Sequence, residues 1–165
     1  MLLSPEETEH SNARAIQSLL SGRVMGSESR KGLESEIRKV AERFRDVVEW
    51  QWDGRFGTAL AEFTIEHRSS ILGILEEVFA CKWDSAGVTE APDVVRKIAK
   101  GLGGLMSGQL LLVSDPDATP LVYCAWWPWG NGRTISIRIG LFTETIDAEK
   151  KGALTVALKA AFGVP

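Results

Sequence analysis

The run Ala125-Trp126-Trp127-Pro128-Trp129-Gly130-Asn131-Gly132-Arg133 constrains the fold more than any other stretch. It holds three of the six tryptophans and the clearest turn signal in the chain. Gly130, Asn131 and Gly132 tolerate the positive φ that tight hairpin turns demand. Apolar or alternating residues flank them, at 121–125 before and 134–141 after. A β-hairpin follows. In its second arm Ile135, Ile137 and Ile139 alternate with Ser136, Arg138 and Gly140, the pattern of a sheet with one wet face.

Two readings compete over residues 47–68. As helix, Phe56, Leu60, Phe63, His67, Ile71, Ile74 and Val78 form one stripe. As hairpin, residues 48–52 and 55–66 are strands about a two-residue Asp53-Gly54 turn, with Ala61, Phe63, Ile65 and His67 on one face. The aromatics and Thr64-Ile65 suit strands, and Gly54 and Gly57 would interrupt a helix, so the hairpin is favoured. Ser69 or Ser70 would then cap a helix carrying Ile71, Leu72, Leu75, Val78 and Phe79.

This hairpin resembles the first. Trp50-Gln51-Trp52-Asp53-Gly54-Arg55 matches Trp127-Pro128-Trp129-Gly130-Asn131-Gly132-Arg133 with one residue added. Each is preceded by an amphipathic helical pattern, at 33–48 and 92–105, and followed by a strand-like run and a helix. An internal αββα duplication is the expectation this raises.

Other helix signals are plain. Leu33, Ile37, Val40, Phe44, Val47 and Val48 recur at spacings of three and four. Ser4-Pro5-Glu6-Glu7 starts an N-terminal helix that ends near Gly22. Residues 81–92 read as a joint, and Gly101, Gly103 and Gly104 end the following helix. Gln109 to Val113 reads as a buried strand, and Asp115-Pro116-Asp117 as a turn. Asp147 caps a final helix that Gly163 stops. The expected fold class is α+β: an antiparallel sheet built from two hairpins, with helices covering one face. Residues 1–27 form an N-terminal helix and loop. Residues 28–165 form a single domain, with halves at 28–84 and 92–163 if the duplication holds.

Composition excludes more than it assigns. The 165 residues are 44% hydrophobic and 25% charged, as in an ordinary soluble domain. Net charge is -3 with acids and bases interleaved, which argues against a nucleic-acid or anionic-membrane partner. The first residues lack a basic n-region and a long apolar run, so no signal peptide is read there. No stretch approaches the roughly 18 apolar residues of a membrane span. Cys81 and Cys124 sit in apolar segments and read as buried thiols in a reducing cytoplasm, with a disulfide between them as the alternative.

Catalytic patterns are missing from the sequence. Two cysteines and two distant histidines do not make a zinc set, and no metal or cofactor is expected. A Cys124–His67 dyad is conceivable, but no spacing supports it. The glycines at 101–108 close a helix where a dinucleotide loop would open one. Glu62, Glu66, Glu76 and Glu77 offer carboxylates with nothing to separate their pKa values.

The tryptophans remain. Trp126 and Trp127 face opposite sides of their strand. Trp129 sits at the turn, beside Arg133, an aromatic and arginine pairing typical of interfaces. Pro128 suggests an edge or a bulge. The expectation is a small, bacterial-type, non-enzymatic protein-binding module of adaptor, immunity or chaperone-like character. It would act through Trp126, Trp127, Trp129 and Arg133, most simply as a homodimer. The alternative is a small-molecule binder or enzyme with a pocket between sheet and helices, lined by Trp50, Trp52, His67 and Trp127.

Overall fold

The computed structural model describes residues 27–118, 120–144 and 146–165. The N-terminal helix and loop expected at 1–27 lie, up to residue 26, outside the described residues. The elements run α1 (Ser27–Arg43), β1 (Trp50–Asp53), β2 (Thr58–Thr64), α2 (Arg68–Val78), β3 (Cys81–Asp84), α3 (Asp93–Gly101), β4 (Leu110–Val113), β5 (Leu121–Pro128), β6 (Thr134–Phe142) and α4 (Ala148–Phe162). Short 3₁₀ turns at Ile65–His67 and Val88–Glu90 precede α2 and α3. The strands form one six-stranded sheet in the order β1-β2-β6-β5-β4-β3, antiparallel throughout. The fold is α+β.

Within residues 47–68 a hairpin thus forms, from Trp50 to Thr64, and not the helix. Trp50 pairs with Ala61 and Asp53 with Thr58, so residues 54–57 make a four-residue loop in place of the expected two-residue turn. Gly57, with φ +64°, supplies the left-handed residue. The Asp53 carboxylate accepts from the Arg55 N–H at 3.0 Å and stiffens the loop.

Register divides the side chains between two faces. Directly paired residues share a face. The inner face carries Trp50, Trp52, Ala59, Ala61, Phe63, Ile135, Ile137, Ile139, Cys124 and Trp126. Three helices meet it. Phe44, directly after α1, and Phe162 of α4 pack on Trp50 with ring centroids 5.7 and 4.6 Å away. From α2, Glu76 reaches Lys82 of β3 at 2.6 Å, and Glu77 pairs with Arg43 of α1. The stripe Leu33, Ile37, Val40 and Phe44 is buried, as its spacing requires. In α4 the Asp147 carboxylate accepts from the Lys150 N–H at 2.9 Å, and Gly163 ends the helix at φ +66°. Both caps match the sequence expectation.

The outer face is only half covered. Here α3 lays Val95, Ile98, Ala99 and Leu102 on Leu111, Val113, Leu121, Tyr123 and Ala125 of β4 and β5. Among the described residues no helix packs on the outer face of β1, β2 and β6, where Gln51, Glu62 and Thr64 are exposed. Among the described helices one therefore lies opposite the other three.

Several expectations change. Residues 81–84 are an edge strand, not part of a joint; four residues of alternating burial are too short to announce themselves. Neither Ser69 nor Ser70 caps α2, which begins at Arg68 after His67 with no side-chain cap; the Ser70 hydroxyl donates to the His67 carbonyl instead. The Trp-x-Trp similarity is not carried into space. The hairpins do flank the β2–β6 pair, but Trp50 and Trp52 face inward and Trp127 faces outward. The two hairpins are alike in topology and unlike in where these rings go.

Ile137 is 0% exposed and Val156 68% exposed. Ile137→Ala should cost about 2–5 kcal/mol in urea unfolding, from lost burial and the cavity left behind. Val156→Ala should stay within about 0.5 kcal/mol of the unaltered chain.

Candidate functional site at the hairpin tip and outer sheet face

The tip is built by its own hydrogen bonds. The Trp129 N–H donates to the Thr134 carbonyl at 2.8 Å, and the Gly132 N–H to the Trp129 carbonyl at 3.2 Å. The Asn131 side-chain oxygen accepts from the N–H groups of Arg133 and Thr134, and its amide nitrogen donates to the Thr134 hydroxyl. Gly132 takes φ +67°, as the Gly-Asn-Gly pattern implies. The Ile65 N–H donates to the Arg133 carbonyl at 2.8 Å and ties the tip to the end of β2. Trp129 and Ile65, each 44% exposed, and the exposed Arg133 share this end of the sheet.

The other two tryptophans of the run part company. Trp126 is fully buried on the inner face, its ring 5.6 Å from that of Phe63. Trp127 is half-buried on the outer face. So Trp127, Trp129 and Arg133 remain at or near the surface, and Trp126 does not. The strand they end is not an edge: β5 lies between β6 and β4. Pro128 is accommodated because β5 outruns β4, whose last partner is Trp126.

Behind the tip lies a cluster the sequence did not single out. The Arg138 guanidinium sits 4.2 Å from the centre of the Trp127 ring and 5.6 Å from that of Phe56. Phe56 meets Trp127 edge-on at 5.6 Å. Arg138 Nε donates to Asp53 Oδ2 at 2.9 Å, and Nη1 to the Ser136 hydroxyl at 3.1 Å. The ion pair reaches from β6 across β2 to β1. Its side chains are only 15% and 14% exposed. Burial pushes the Asp53 carboxyl up. The Arg138 hydrogen bond, the Arg55 N–H, the Arg138 charge and the Phe56 N–H outweigh it and hold the carboxyl below its ordinary value.

The residues of the alternative pocket do not converge. Trp50 is wedged between Phe44 and Phe162, and Trp52 lies under the Lys159 ammonium at 4.7 Å, both on the inner face. Trp127 is across the sheet. His67 is exposed, because β2 stops at Thr64 and the 3₁₀ turn takes His67 out of strand alternation. Burial pushes the fully enclosed Cys124 thiol up, so it stays protonated, and exposed His67 gives it no base. Cys81 and Cys124 are both free, so the disulfide alternative falls. Gly101, Gly103 and Gly104 do close α3, the Gly104 N–H donating to the Ala99 carbonyl at 2.7 Å. Among the described residues no group of three His, Cys, Asp or Glu is placed to hold a metal ion.

Arg138→Ala should lower stability by about 3 kcal/mol, since it strands a mostly buried carboxylate. A carboxyl held below its ordinary value stabilises the fold above pH about 4 and loses that contribution as pH falls through the folded value. Urea unfolding of Asp53→Asn and the unaltered chain should therefore differ most at neutral pH and converge below about pH 4.

No family model, curated protein or solved structure matches this chain.

Proposed function

We propose that the chain is a non-enzymatic protein-binding module whose contact surface is the hairpin tip, continued onto the half of the outer sheet face that none of the described helices covers. Exposed Trp129 carries this reading. A turn closed by backbone and Asn131 hydrogen bonds holds its backbone, so docking the indole orders little that is not already ordered. Ile65 and Arg133 beside it supply the apolar and cationic company usual for an interface anchor. The edge that Pro128 suggested gives this surface no support, since β5 is internal.

The simplest partner is a second copy of the chain. A two-fold contact uses each tip twice and would bury both indoles together. An adaptor, immunity or chaperone-like role is the wider class. Nucleic acid and membrane surfaces form no part of the proposal: net charge is -3, and among the described residues no helix is long and apolar enough to cross a membrane. A reducing cytoplasm is the proposed setting, with the two free cysteines in support.

Sedimentation of the unaltered chain and of Trp129→Ala tests the proposal. The expected result is self-association that the substitution weakens by about 2 kcal/mol or more, with the melting temperature unchanged. A monomer at high concentration would remove the dimer. A Trp129→Ala chain that unfolds would make the tip part of the core and remove the interface reading.

A further inference from the structure

A second surface has different chemistry. Between the 54–57 loop, α3, the end of β6 and the start of α4 lies an open cleft of roughly 860 Å³, within the usual size of small-molecule sites. Four cations line it, Arg55, Lys97, Lys100 and Lys151, against the single carboxylate of Glu144. Lys97 is engaged with Glu144 at 3.2 Å. Lys100 and Lys151 have no carboxylate partner among the described residues. A net-positive cleft in a chain of net charge -3 is a local concentration of field, not a reflection of the average surface.

The cleft also has a floor. Phe56 and Phe142 are half-buried on it, and Tyr123 is 7% exposed. The Tyr123 residue is more than nine-tenths buried, but its hydroxyl oxygen makes no hydrogen bond among the described residues and is not one of the fully enclosed polar atoms. That oxygen is therefore open to the cleft and available to a group that enters it. Burial above all pushes the phenol up to about 12, so it is a donor at neutral pH. Its position is specified by Gly140. A Cβ there would stand 2.6 Å from the Tyr123 oxygen, so the phenol can lie across β6 only because that residue has no side chain.

We propose that this cleft binds a small organic anion with an apolar body, its acidic group held by Lys100, Lys151 and Arg55 and its body seated on Phe56 and Phe142, with the Tyr123 hydroxyl donating to it. The site is separate from the hairpin tip and does not depend on the protein-binding reading.

Titration with 8-anilinonaphthalene-1-sulfonate, an anionic probe with an apolar body, tests this on the full chain. Its uncharged counterpart N-phenyl-1-naphthylamine is the control. Saturable one-to-one binding of the anion is expected, with a raised melting temperature because the folded state is the one bound. The exposed double variant K100E/K151E should weaken it about tenfold or more. Tyr123→Phe, which keeps the ring, should weaken it about tenfold. Neither variant should shift the melting temperature of the free protein, and neither should weaken the neutral probe's binding. No saturable binding, a lowered melting temperature with probe, equal binding of the neutral probe, or a dissociation constant that K100E/K151E leaves unmoved would each overturn the proposal.

Discussion

Pairing of β2 with β6 is the constraint on which the remaining architecture rests. Each hairpin can form from neighbours in sequence, but the sheet exists only when these two strands meet. Thr64 pairs with Thr134, 70 residues later, and Ala59 with Ile139, 80 residues later. Closing so long a loop costs conformational entropy before any contact repays it. What repays it is the inner face at the seam. Ala59 and Ala61 lie opposite Ile139 and Ile137, and all four are fully enclosed. Small residues on one strand leave room for branched ones on the next, and α4 approaches the sheet over β2. The first hairpin thus stays incomplete until the last strand has been made, a span of roughly 4 to 15 seconds at ordinary synthesis rates.

Half-coverage of the outer face then decides where chemistry can lie. Where α3 covers β4 and β5 the face is sealed and apolar. Beyond it, the same face carries Arg138, Asp53, Ser136 and the half-buried rings of Trp127 and Phe56. Arg138 sits at this boundary. Its charge is shielded enough for a strong pair with Asp53, and its flat guanidinium lies against two aromatic rings that also touch each other. The tip surface and the cationic cleft lie toward opposite ends of this boundary, which allows one small chain to present two unlike surfaces.

What could be read from the sequence was local. The Gly-Asn-Gly turn, the stripe Leu33, Ile37, Val40 and Phe44, the Asp147 cap and the Gly163 stop all depend on residues a few positions apart. The opposite facing of Trp126 and Trp127 follows from strand geometry alone. What could not be read depended on register between distant strands. Asp53 and Arg138 are 85 residues apart, and nothing near either announces the other. The Ser136, Arg138 and Gly140 row looked wet from its alternation, yet Ser136 is 2% exposed and Gly140 is covered by Tyr123. Similarity between the two Trp-x-Trp segments misled for the same reason, since facing is set by pairing and not by the local string. Of the proposed sites, the tip was legible because a turn is a local object. The cleft was not, because its lining comes from parts of the chain far apart in sequence: the 54–57 loop, α3, β5, β6 and α4.

The Asp53–Arg138 bridge bears on how the sheet comes apart. β1 is a four-residue edge strand, and among the described residues no helix lies over its outer side. Short edge strands with few enclosing contacts are where native proteins open first, without unfolding as a whole. The bridge fastens the far end of β1 past its neighbour to the strand beyond, so β1 cannot lift away on the strength of its own ladder. Backbone amides of β1 and β2 are thereby placed in one opening unit with β6. Exchange of their hydrogens with solvent reports on the whole seam, not on a loose margin.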